Sequence, residues 1–548
     1  MERVLFIVPP SIDFDKFKHP PSNVRTVLKR DGAYGSVLTD MPLGVLALSA
    51  YVKKHSDAEV QLIDFNVVLN QLDTFAYASF EDFFKEYLGS SQWRTFGPTI
   101  IGISTLFATS YRNMLDIAHC CRTAFPHALR VAGGGVPTNM YRNIYAESGD
   151  FDGLFFGEGE RPLLSLILAD DKQASLETSA SCVTRKKLQT DFQPRFDFIA
   201  DLDEVPAYDY SLVDLDDYRL NPTISAYPGA DSSGAHVTYM TSRGCPFYCI
   251  FCAAHSVHGR KMRFLSLERV KQDFLAIKER YGVRTIVFQD DHFMASPKRA
   301  HAIIDLLKSL GMSAFFPNSL TLYALDRPML EALRDVGVRL LVLAIESGSA
   351  RVLKKVMRKP LNLKIAERVV RDCRVLGIDT DVNIVVGLPG ENKQDIADAR
   401  AFLRTLNATW FRIYTAIPLP GSEMYEICLE KGYIPGEVTD GDFKKAVIHT
   451  EEFTPEYIQR MAYTMNLDLN FVCNGEMRLG NYARALKEFE NTIKLKDDHA
   501  FAYYFAAECR RQLGDESGYA LYRERYEEIR RDSPFWREYA EEFALAPL

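Results

Sequence analysis

The stretch Cys245-Pro246-Phe247-Tyr248-Cys249-Ile250-Phe251-Cys252 places three thiols at C-x3-C-x2-C spacing. It follows Thr241-Ser242-Arg243-Gly244, which closes an apolar, strand-like run from His236 to Met240. Thiolates are soft ligands that suit iron–sulfur clusters or zinc. An ordinary iron–sulfur cluster takes four cysteines, so a motif of three leaves one metal open to another ligand.

Two alternatives remain open for this stretch on its own. His255 follows Cys252 at C-x2-H spacing, so a Cys3His zinc site is one alternative. Three core-packed structural cysteines are the other, because free cysteine is often buried. None of the other cysteines repeats a C-x2-C spacing, so the sequence indicates no second cluster.

The composition limits the class of protein. The chain has 548 residues, of which 47% are hydrophobic and 25% charged, and this suits about three globular domains. A net charge of −8 argues against a general nucleic-acid binder. Ten cysteines in this length do not make a disulfide scaffold, and the N-terminus shows no export signal, so we expect a cytoplasmic protein. No apolar run of about 18 residues predicts a membrane span.

Residues 1–195 alternate apolar strands with helices. This alternation predicts a parallel, doubly wound, Rossmann-like sheet. The expected strands are Val4–Val8, Val60–Asp64, Ile100–Ser104, Arg130–Ala132 and Leu154–Phe156. Ligands bind such sheets at the carboxyl ends of the strands. The loops at Ser104-Thr105, Gly133–Val136 and Gly157–Gly159 are therefore expected on one rim.

These loops carry a resemblance to a known domain. Pro42-Leu43-Gly44, Ile103-Ser104, Gly133-Gly134-Gly135 and Gly157-Glu158-Gly159-Glu160 together resemble the cobalamin-binding domain that precedes many radical S-adenosylmethionine (SAM) domains. The resemblance implies cobalamin contacts from Pro42, Leu43, Gly44, Ser104, Thr105, Gly133, Gly134, Gly135, Val136, Gly157, Glu158 and Gly159. The D-x-H-x-x-G stretch of classic cobalamin domains is missing, which fits the radical SAM branch and also permits a domain that binds no cobalamin.

Residues 196–235 read as a linker. Acidic residues from Asp201 to Asp217 are followed by Pro222, Pro228 and Gly229, without clear periodicity. Charge runs usually stay in water, so we expect a solvated face here rather than a metal site.

Residues 236–435 resume the alternation about six times, which predicts a parallel (β/α)6 partial TIM barrel. The expected strands after the first are Thr285–Gln289, Ala314–Pro317, Leu340–Ile345, Val382–Val386 and Trp410–Ile417. Active sites of such barrels lie at the carboxyl ends of the strands. A Cys3His zinc site gives no account of six units with polar strand ends.

The cysteine stretch and this barrel resemble the radical SAM family. The resemblance implies a 4Fe–4S cluster on Cys245, Cys249 and Cys252, with SAM chelating the open iron. It implies further SAM contacts from Phe251, from Gln289 and Asp290 beside the ammonium, from Glu346 or Ser347 at the ribose, and from Gly387 along the adenine.

Residues 436–548 show no further strand pattern. Leu479-Gly480-Asn481 recurs as Leu513-Gly514-Asp515, 34 residues later, which resembles a tetratricopeptide repeat. One repeat and part of a second are too few to stand alone, so we expect a helical domain packed on the barrel. A docking surface for a protein partner or substrate carrier is the sharper alternative.

Together these resemblances imply a cobalamin-dependent radical SAM enzyme. The expected reaction transfers a methyl from methylcobalamin to an unactivated carbon through a 5′-deoxyadenosyl radical. The alternatives are a cyclase or rearrangement enzyme, a P-methyltransferase, and a non-catalytic scaffold that binds partners through its helical tail. We expect a small-molecule or natural-product substrate and an electron donor such as flavodoxin or ferredoxin. No catalytic residue is assigned, and Tyr323, Tyr414, His292 and Arg412 are candidate pocket residues.

Overall fold

The computed structural model describes residues 1–21, 26–218, 236–434 and 445–546. The predicted linker residues Pro222, Pro228 and Gly229 lie outside these ranges, as does the expected boundary near residue 435. The first part of the linker is described and is not merely solvated. Although Asp201 and Asp216 are exposed, the hydroxyl of Tyr218 donates to buried Asp64 at 2.8 Å.

The N-terminal part contains a six-stranded sheet in the order β4-β1-β5-β6-β7-β8, parallel except for the last strand. A separate antiparallel hairpin is formed by β2 and β3. The strands are β1 (Arg3–Val8), β2 (Thr26–Lys29), β3 (Gly32–Gly35), β4 (Glu59–Asp64), β5 (Ile100–Ser104), β6 (Leu129–Gly133), β7 (Gly153–Phe155) and β8 (Cys182–Val183). All five predicted strands of this part are present.

Helices cover both faces of this sheet. They are α1 (Phe14–Lys18), α2 (Leu43–His55), α3 (Phe65–Gln71), α4 (Phe80–Leu88), α5 (Ser91–Phe96), α6 (Tyr111–Ala124), α7 (Gly135–Glu147), α8 (Glu160–Leu168) and α9 (Lys172–Thr178). In β1, Leu5 and Ile7 enter one buried cluster while Val4 and Phe6 enter another. Successive residues of a strand point to opposite faces, so a continuous apolar run is what a sheet covered on both sides requires.

The central part contains two three-stranded parallel sheets, β9-β12-β13 and β14-β15-β16, and a short antiparallel ribbon, β10-β11. The strands are β9 (His236–Tyr239), β10 (Ser242–Arg243), β11 (Arg263–Phe264), β12 (Thr285–Phe288), β13 (Ser313–Phe315), β14 (Leu340–Glu346), β15 (Asp379–Val386) and β16 (Trp410–Thr415). Val287, Phe315, Leu340 and Val342 form one buried cluster, which joins the two sheets.

The helices of the central part follow its strands. They are α10 (His255–His258), α11 (Leu267–Tyr281), α12 (Pro297–Leu310), α13 (Arg327–Asp335), α14 (Leu363–Val375), α15 (Lys393–Leu403) and α16 (Glu423–Lys431). The carboxyl ends of the parallel strands in each sheet lie at one edge, and the loop with the three cysteines follows β9 at that edge.

The C-terminal part is helical and has a core of its own around Phe471, Phe489 and Trp536. Its helices are α17 (Pro455–Leu467), α18 (Gly475–Arg478), α19 (Tyr482–Leu495), α20 (Ala500–Gln512), α21 (Glu516–Asp532) and α22 (Pro534–Glu542). Gly480 and Gly514 both have φ 74°, so the two related Leu-Gly turns share a left-handed glycine. Within the described ranges, no helix has the length and apolar character needed to cross a membrane.

Several polar side chains hold this helical part to the central part, and Asp468 and Asn470 are two of them. Asp468 is fully buried and accepts hydrogen bonds from Arg400 Nε at 2.5 Å and Arg404 Nε at 2.7 Å. Asn470 pairs with both backbone groups of Phe411 in the outer strand β16, each at 2.8 Å. The helical part therefore packs on α15 and β16.

Candidate cluster and cofactor site

The three motif cysteines lie half-buried and unpaired in the loop between β10 and β11. The base of this loop is closed, because Arg243 of β10 pairs with Arg263 of β11. Gly244 has φ 95°, and a Cβ there would lie 2.6 Å from the carbonyl oxygen of Lys261. A side chain at that position would strain the turn that directs Cys245.

Burial raises the pKa of all three thiols, to about 11 for Cys245. Because metals bind the thiolate, a bound metal would offset that penalty. Among the described residues, no three His, Cys, Asp or Glu side chains are arranged to ligate a single metal ion, so the zinc alternative with His255 has no assembled ligand set. A 4Fe–4S cluster does not need three ligands around a single metal ion, since each thiolate binds a different iron.

The cysteine loop is anchored from two other segments. The amide of Ile250 donates to the carbonyl of Met357 at 3.1 Å, and the amide of Met424 donates to the carbonyl of Ile250 at 2.8 Å. The Phe247 ring lies 5.0 Å from the His292 ring. The loop is therefore held in place by the polypeptide itself.

Asp290 binds the two residues that lead into the cysteine loop. Its buried carboxylate accepts hydrogen bonds from the amide of Thr241 at 3.0 Å, the Thr241 hydroxyl at 2.7 Å and the Ser242 hydroxyl at 2.5 Å. Burial raises the pKa of Asp290. The predicted SAM contact at Asp290 is thereby restricted to its backbone, because the side chain is used within the protein. The backbone amide of Gln289 donates to the carbonyl oxygen of Tyr239 in β9 at 3.0 Å, which ties this residue to the first strand of the sheet.

The predicted ribose residues lie at the end of β14. Glu346 is buried and has φ 66°, a backbone conformation that non-glycine residues rarely adopt. Burial raises its pKa, and the ammonium of Lys359, 3.6 Å from Oε1, opposes that shift. The hydroxyl of Ser347 accepts a hydrogen bond from the amide of Ser349 at 3.1 Å.

Glu391 shapes the loop at Gly387 and is a site residue that was not predicted from the sequence. Gly387 has φ 89°, and its amide donates to Glu391 Oε2 at 2.6 Å. The amide of Leu388 donates to the same oxygen at 3.2 Å. Burial raises the pKa of Glu391 to about 7, and the two amides oppose the rise. The spacing of a glycine and a glutamate four residues apart after a buried strand was the available signal.

The rim of the N-terminal sheet offers both polar and apolar groups. Thr105 is buried after β5, and its hydroxyl has no hydrogen-bond partner in the described part of the chain. The next two residues, Leu106 and Phe107, expose 64% and 44% of their surface. An orphaned hydroxyl beside exposed apolar side chains fits a large, flat ligand with polar edges, as cobalamin is.

The rim glycines have different neighbours. A Cβ on Gly134 would lie 2.6 Å from the carbonyl oxygen of Thr105, and one on Gly157 would lie 2.6 Å from Phe196. At these two glycines the missing side chain leaves space that other atoms of the protein already fill. At Gly44, apart from its chain neighbours and its own helix backbone, no atom of the described residues lies within 4 Å of the corresponding position, so the space beside it is open.

Two of the predicted cobalamin contacts, Glu158 and Val136, cannot be made by their side chains. Glu158 is bound by Arg263 and Arg243 and is 4% exposed, so its carboxylate is not available to a cofactor. Val136 is buried in the core because α7 begins at Gly135 and turns this side chain inward. Only the backbone of these two residues remains at the rim. Pro42 and Leu43 precede and open α2, and Ser104 pairs with Gly133 at the ends of β5 and β6.

The four candidate pocket residues form two groups. His292 lies 3.0 Å from the hydroxyl of Thr321 and 3.3 Å from that of Tyr323. Burial lowers the pKa of His292 to about 4, so its ring is neutral at pH 7. Arg412 Nε donates to Asp381 at 2.5 Å, and Tyr414 follows on the same face of β16. Asp381 Oδ1 and Asn383 Oδ1 are buried acceptors with no partner among the described residues.

The comparisons with known proteins match both parts of this arrangement. Residues 36–167 match the B12 binding domain, and residues 239–403 match the Radical SAM superfamily. The two matches define an enzyme that joins a B12 unit to a radical SAM unit. The chain belongs to the cobalamin-dependent radical SAM enzymes, and its cofactors are a 4Fe–4S cluster, SAM and cobalamin.

Three curated relatives cover most of the chain. Cytidylyl-2-hydroxyethylphosphonate methyltransferase of Streptomyces wedmorensis is 24% identical over 69% of this chain and 76% of its own. Anaerobic magnesium-protoporphyrin IX monomethyl ester cyclase of Rubrivivax gelatinosus is 24% identical over 76% and 71%. Hopanoid C-3 methylase of Methylococcus capsulatus is 22% identical over 82% and 84%.

Two solved structures share the fold. The radical SAM methyltransferase TsrM from Kitasatospora setae, with cobalamin and a [4Fe-4S] cluster bound, has a TM-score of 0.56 at 16% identity and covers 97% of this chain and 100% of its own. OxsB, with aqua-cobalamin and SAM bound, has a TM-score of 0.60 at 13% identity and covers 99% and 84%. The fold is therefore α/β, and in this chain the B12-binding unit precedes the radical SAM unit.

Proposed function

We propose that the protein methylates an unactivated carbon of a small molecule or natural product. When bound, the cluster and SAM supply a 5′-deoxyadenosyl radical, and cobalamin supplies the methyl group. The observation that carries the proposal is the contact between the two cofactor loops: the base of the cysteine loop, at Arg243 and Arg263, binds the rim loop at Glu158. The methyltransferases among the relatives support it.

We assign the binding roles to this chain's residues as follows. Cys245, Cys249 and Cys252 hold the cluster, and Phe251 packs beside it. Glu346 and Ser347 face the ribose, and Gly387 lies along the adenine, in a loop that Glu391 fixes. The backbone of Gln289 and Asp290 accepts from the ammonium. Gly44, Gly133 and Thr105 line the cobalamin rim.

The architecture we propose keeps the sequence-based boundaries. The two three-stranded sheets form one (β/α)6 partial barrel over residues 236–435, preceded by the cobalamin domain (1–195) and the linker (196–235). The cluster at Val287 and Leu340 supports joining them. Residues 436–548 form a domain with a tetratricopeptide-like repeat that presents a surface to a protein partner. A flavodoxin or ferredoxin in the cytoplasm supplies the electron.

A second function has specific support. The same cofactors can drive ring closure without methyl transfer, and the Rubrivivax gelatinosus cyclase matches 76% of this chain. The two functions differ in the fate of the methyl group. Buried acceptors at Asp381 and Asn383 suit hydrogen-bond donors on a substrate in either case.

The test is anaerobic reconstitution with iron, sulfide, hydroxocobalamin and CD3-labelled SAM. We expect bound cobalamin, cluster absorbance, 5′-deoxyadenosine, and label in a candidate acceptor found by mass spectrometry. Cys249→Ala is the control: it should keep the wild-type circular dichroism but lose the cluster absorbance and form no 5′-deoxyadenosine. Failure to bind cobalamin would defeat the proposal. Turnover of a substrate to 5′-deoxyadenosine and an unlabelled product would favour the cyclase.

A further inference from the structure

Four buried charged side chains join the N-terminal sheet to the cysteine loop. Arg263 donates to both carboxylate oxygens of Glu158, from Nη1 at 2.8 Å and from Nη2 at 2.6 Å. Arg243 lies 3.2 Å from Glu158 and donates to Glu160 at 2.7 Å. All four side chains are at least nine-tenths buried. We call Glu158, Glu160, Arg243 and Arg263 the clamp.

We infer that the clamp is a positioning device, which fixes the cysteine loop relative to the cobalamin rim and so couples radical formation to methyl transfer. The inference rests on the proposed function, because it concerns the distance between two cofactor sites. None of the four side chains is placed in contact with a cofactor, because the Glu158 carboxylate is bound by the two arginines.

The location of the clamp in the chain supports this role. Arg243 lies two residues before Cys245, and Arg263 is its partner in the β10-β11 ribbon. The two arginines therefore form the base of the loop that carries all three thiols. Glu158 and Glu160 follow β7, at the same edge of the sheet as the glycines after β6. A shift at the clamp would move one loop relative to the other.

The pair formed by Arg263 and Glu158 has a specific geometry. A guanidinium that donates two bonds to one carboxylate fixes both distance and orientation, which a lysine ammonium cannot do. Arg263 also donates to the carbonyls of Ile199 at 2.8 Å and His258 at 2.9 Å, and it stacks 4.6 Å from the ring centre of Phe198. This one side chain therefore touches the rim loop, the segment after the N-terminal sheet and the helix that follows the cysteines.

The charges of the clamp balance, with two arginines against two glutamates. Although burial alone would raise it, the two arginines hold the pKa of Glu158 below its ordinary value. Buried ion pairs of this kind add little net stability compared with apolar packing, because desolvation offsets the attraction. Their specific contribution is a fixed geometry. Reactions that bring three groups together depend steeply on such geometry.

The test compares Arg263→Lys with Glu160→Gln and the wild type. Arg263→Lys keeps the positive charge but cannot donate the two parallel hydrogen bonds of the guanidinium. Ser256→Ala is the matched control, since Ser256 accepts a 2.8 Å hydrogen bond from Asn139 across the same interface but is outside the clamp. Two measurements are made: hydrogen exchange of residues 153–163 and 244–264 in the cofactor-free protein, and the ratio of methylated product to 5′-deoxyadenosine in the reconstituted enzyme.

For Arg263→Lys we expect faster exchange in both segments, an unchanged cluster EPR signal, and a ratio lowered by roughly tenfold. Glu160→Gln should show the same changes to a smaller extent, and Ser256→Ala should resemble the wild type. Wild-type exchange in Arg263→Lys would overturn the inference, as would an equal loss of both products. If the wild type itself transfers no methyl, the proposed function fails, and the exchange data still decide whether the clamp holds the two loops together.

Discussion

Asp291 accepts a 2.8 Å hydrogen bond from the amide of Gly244, the residue directly before the first cysteine. The same carboxylate oxygen lies 2.9 Å from Nδ1 of His258, beyond the last cysteine. Burial acts to raise the pKa of Asp291, but His258 and the Gly244 amide outweigh it and hold the pKa below the ordinary value. One carboxylate thus ties both sides of the cysteine loop to the end of β12.

Replacing Asp291 by Asn should loosen this tie. The amide keeps the shape but loses the charge, so we expect cluster incorporation to fall and the free energy of unfolding to drop by about 1–3 kcal/mol. Visible absorbance after reconstitution and urea denaturation of the apoprotein measure the two effects. Asp335→Asn, which breaks an exposed pair with Lys308, is the control. Cluster content equal to that of the control would contradict the assigned role.

Gly134→Ala and Gly44→Ala should separate packing from ligand binding. Gly134 has φ 105° and the carbonyl of Thr105 against it, so its alanine variant should lose roughly 1–3 kcal/mol of stability. Gly44 has open space, so its variant should fold normally and bind cobalamin more weakly. Thermal unfolding and absorbance titration with hydroxocobalamin measure these outcomes. Unchanged cobalamin affinity in Gly44→Ala would place this residue outside the site.

Lys359→Met should make the cluster harder to reduce. The charge of Lys359 acts on Cys249 and Cys252 and lies beside Glu346. Without it, we expect the reduction potential to fall by on the order of 60 mV, which is a tenfold change in a one-electron equilibrium. An EPR redox titration measures the potential. Lys355→Met, at an exposed position of the same segment, should not change it, and equal potentials in the two variants would refute the expectation.

Glu488 should make stability fall as the pH rises. Burial, followed by the nearby charge of Glu476, raises the pKa of Glu488 from 4.5 to about 8. The folded state therefore binds this proton more tightly than the unfolded chain does, and unfolding free energy declines between those two values by up to about 1.4 kcal/mol per pH unit. Glu488→Gln removes the titration. Its stability relative to the wild type should increase from pH 5 to 8 and then level off in urea denaturation, and a difference independent of pH would argue against this account.

The strands and the cysteine loop were predictable because their signals are local. The run Val4–Val8 is apolar at every position, and a sheet covered on both faces requires this. The roles of Glu158 and Asp290 were not predictable, because their partners lie far away in the chain: Arg263 is 105 residues from Glu158. The glycines show a second limit of prediction from the sequence. The sequence gives the same letter for Gly134, which admits the protein's own backbone, and for Gly44, which leaves room for a ligand.

The bond between Asn470 and Phe411 has a consequence for shortened forms of the chain. Strand β16 is the outer strand of its sheet, and the Asn470 side chain occupies the backbone donor and acceptor of Phe411. A chain ending at residue 434 would leave these groups unpaired, and exposed strand edges recruit other chains. We therefore expect such a truncated chain to self-associate. The helical part covers this strand edge in the full chain, and in this way it also protects the protein from aggregation.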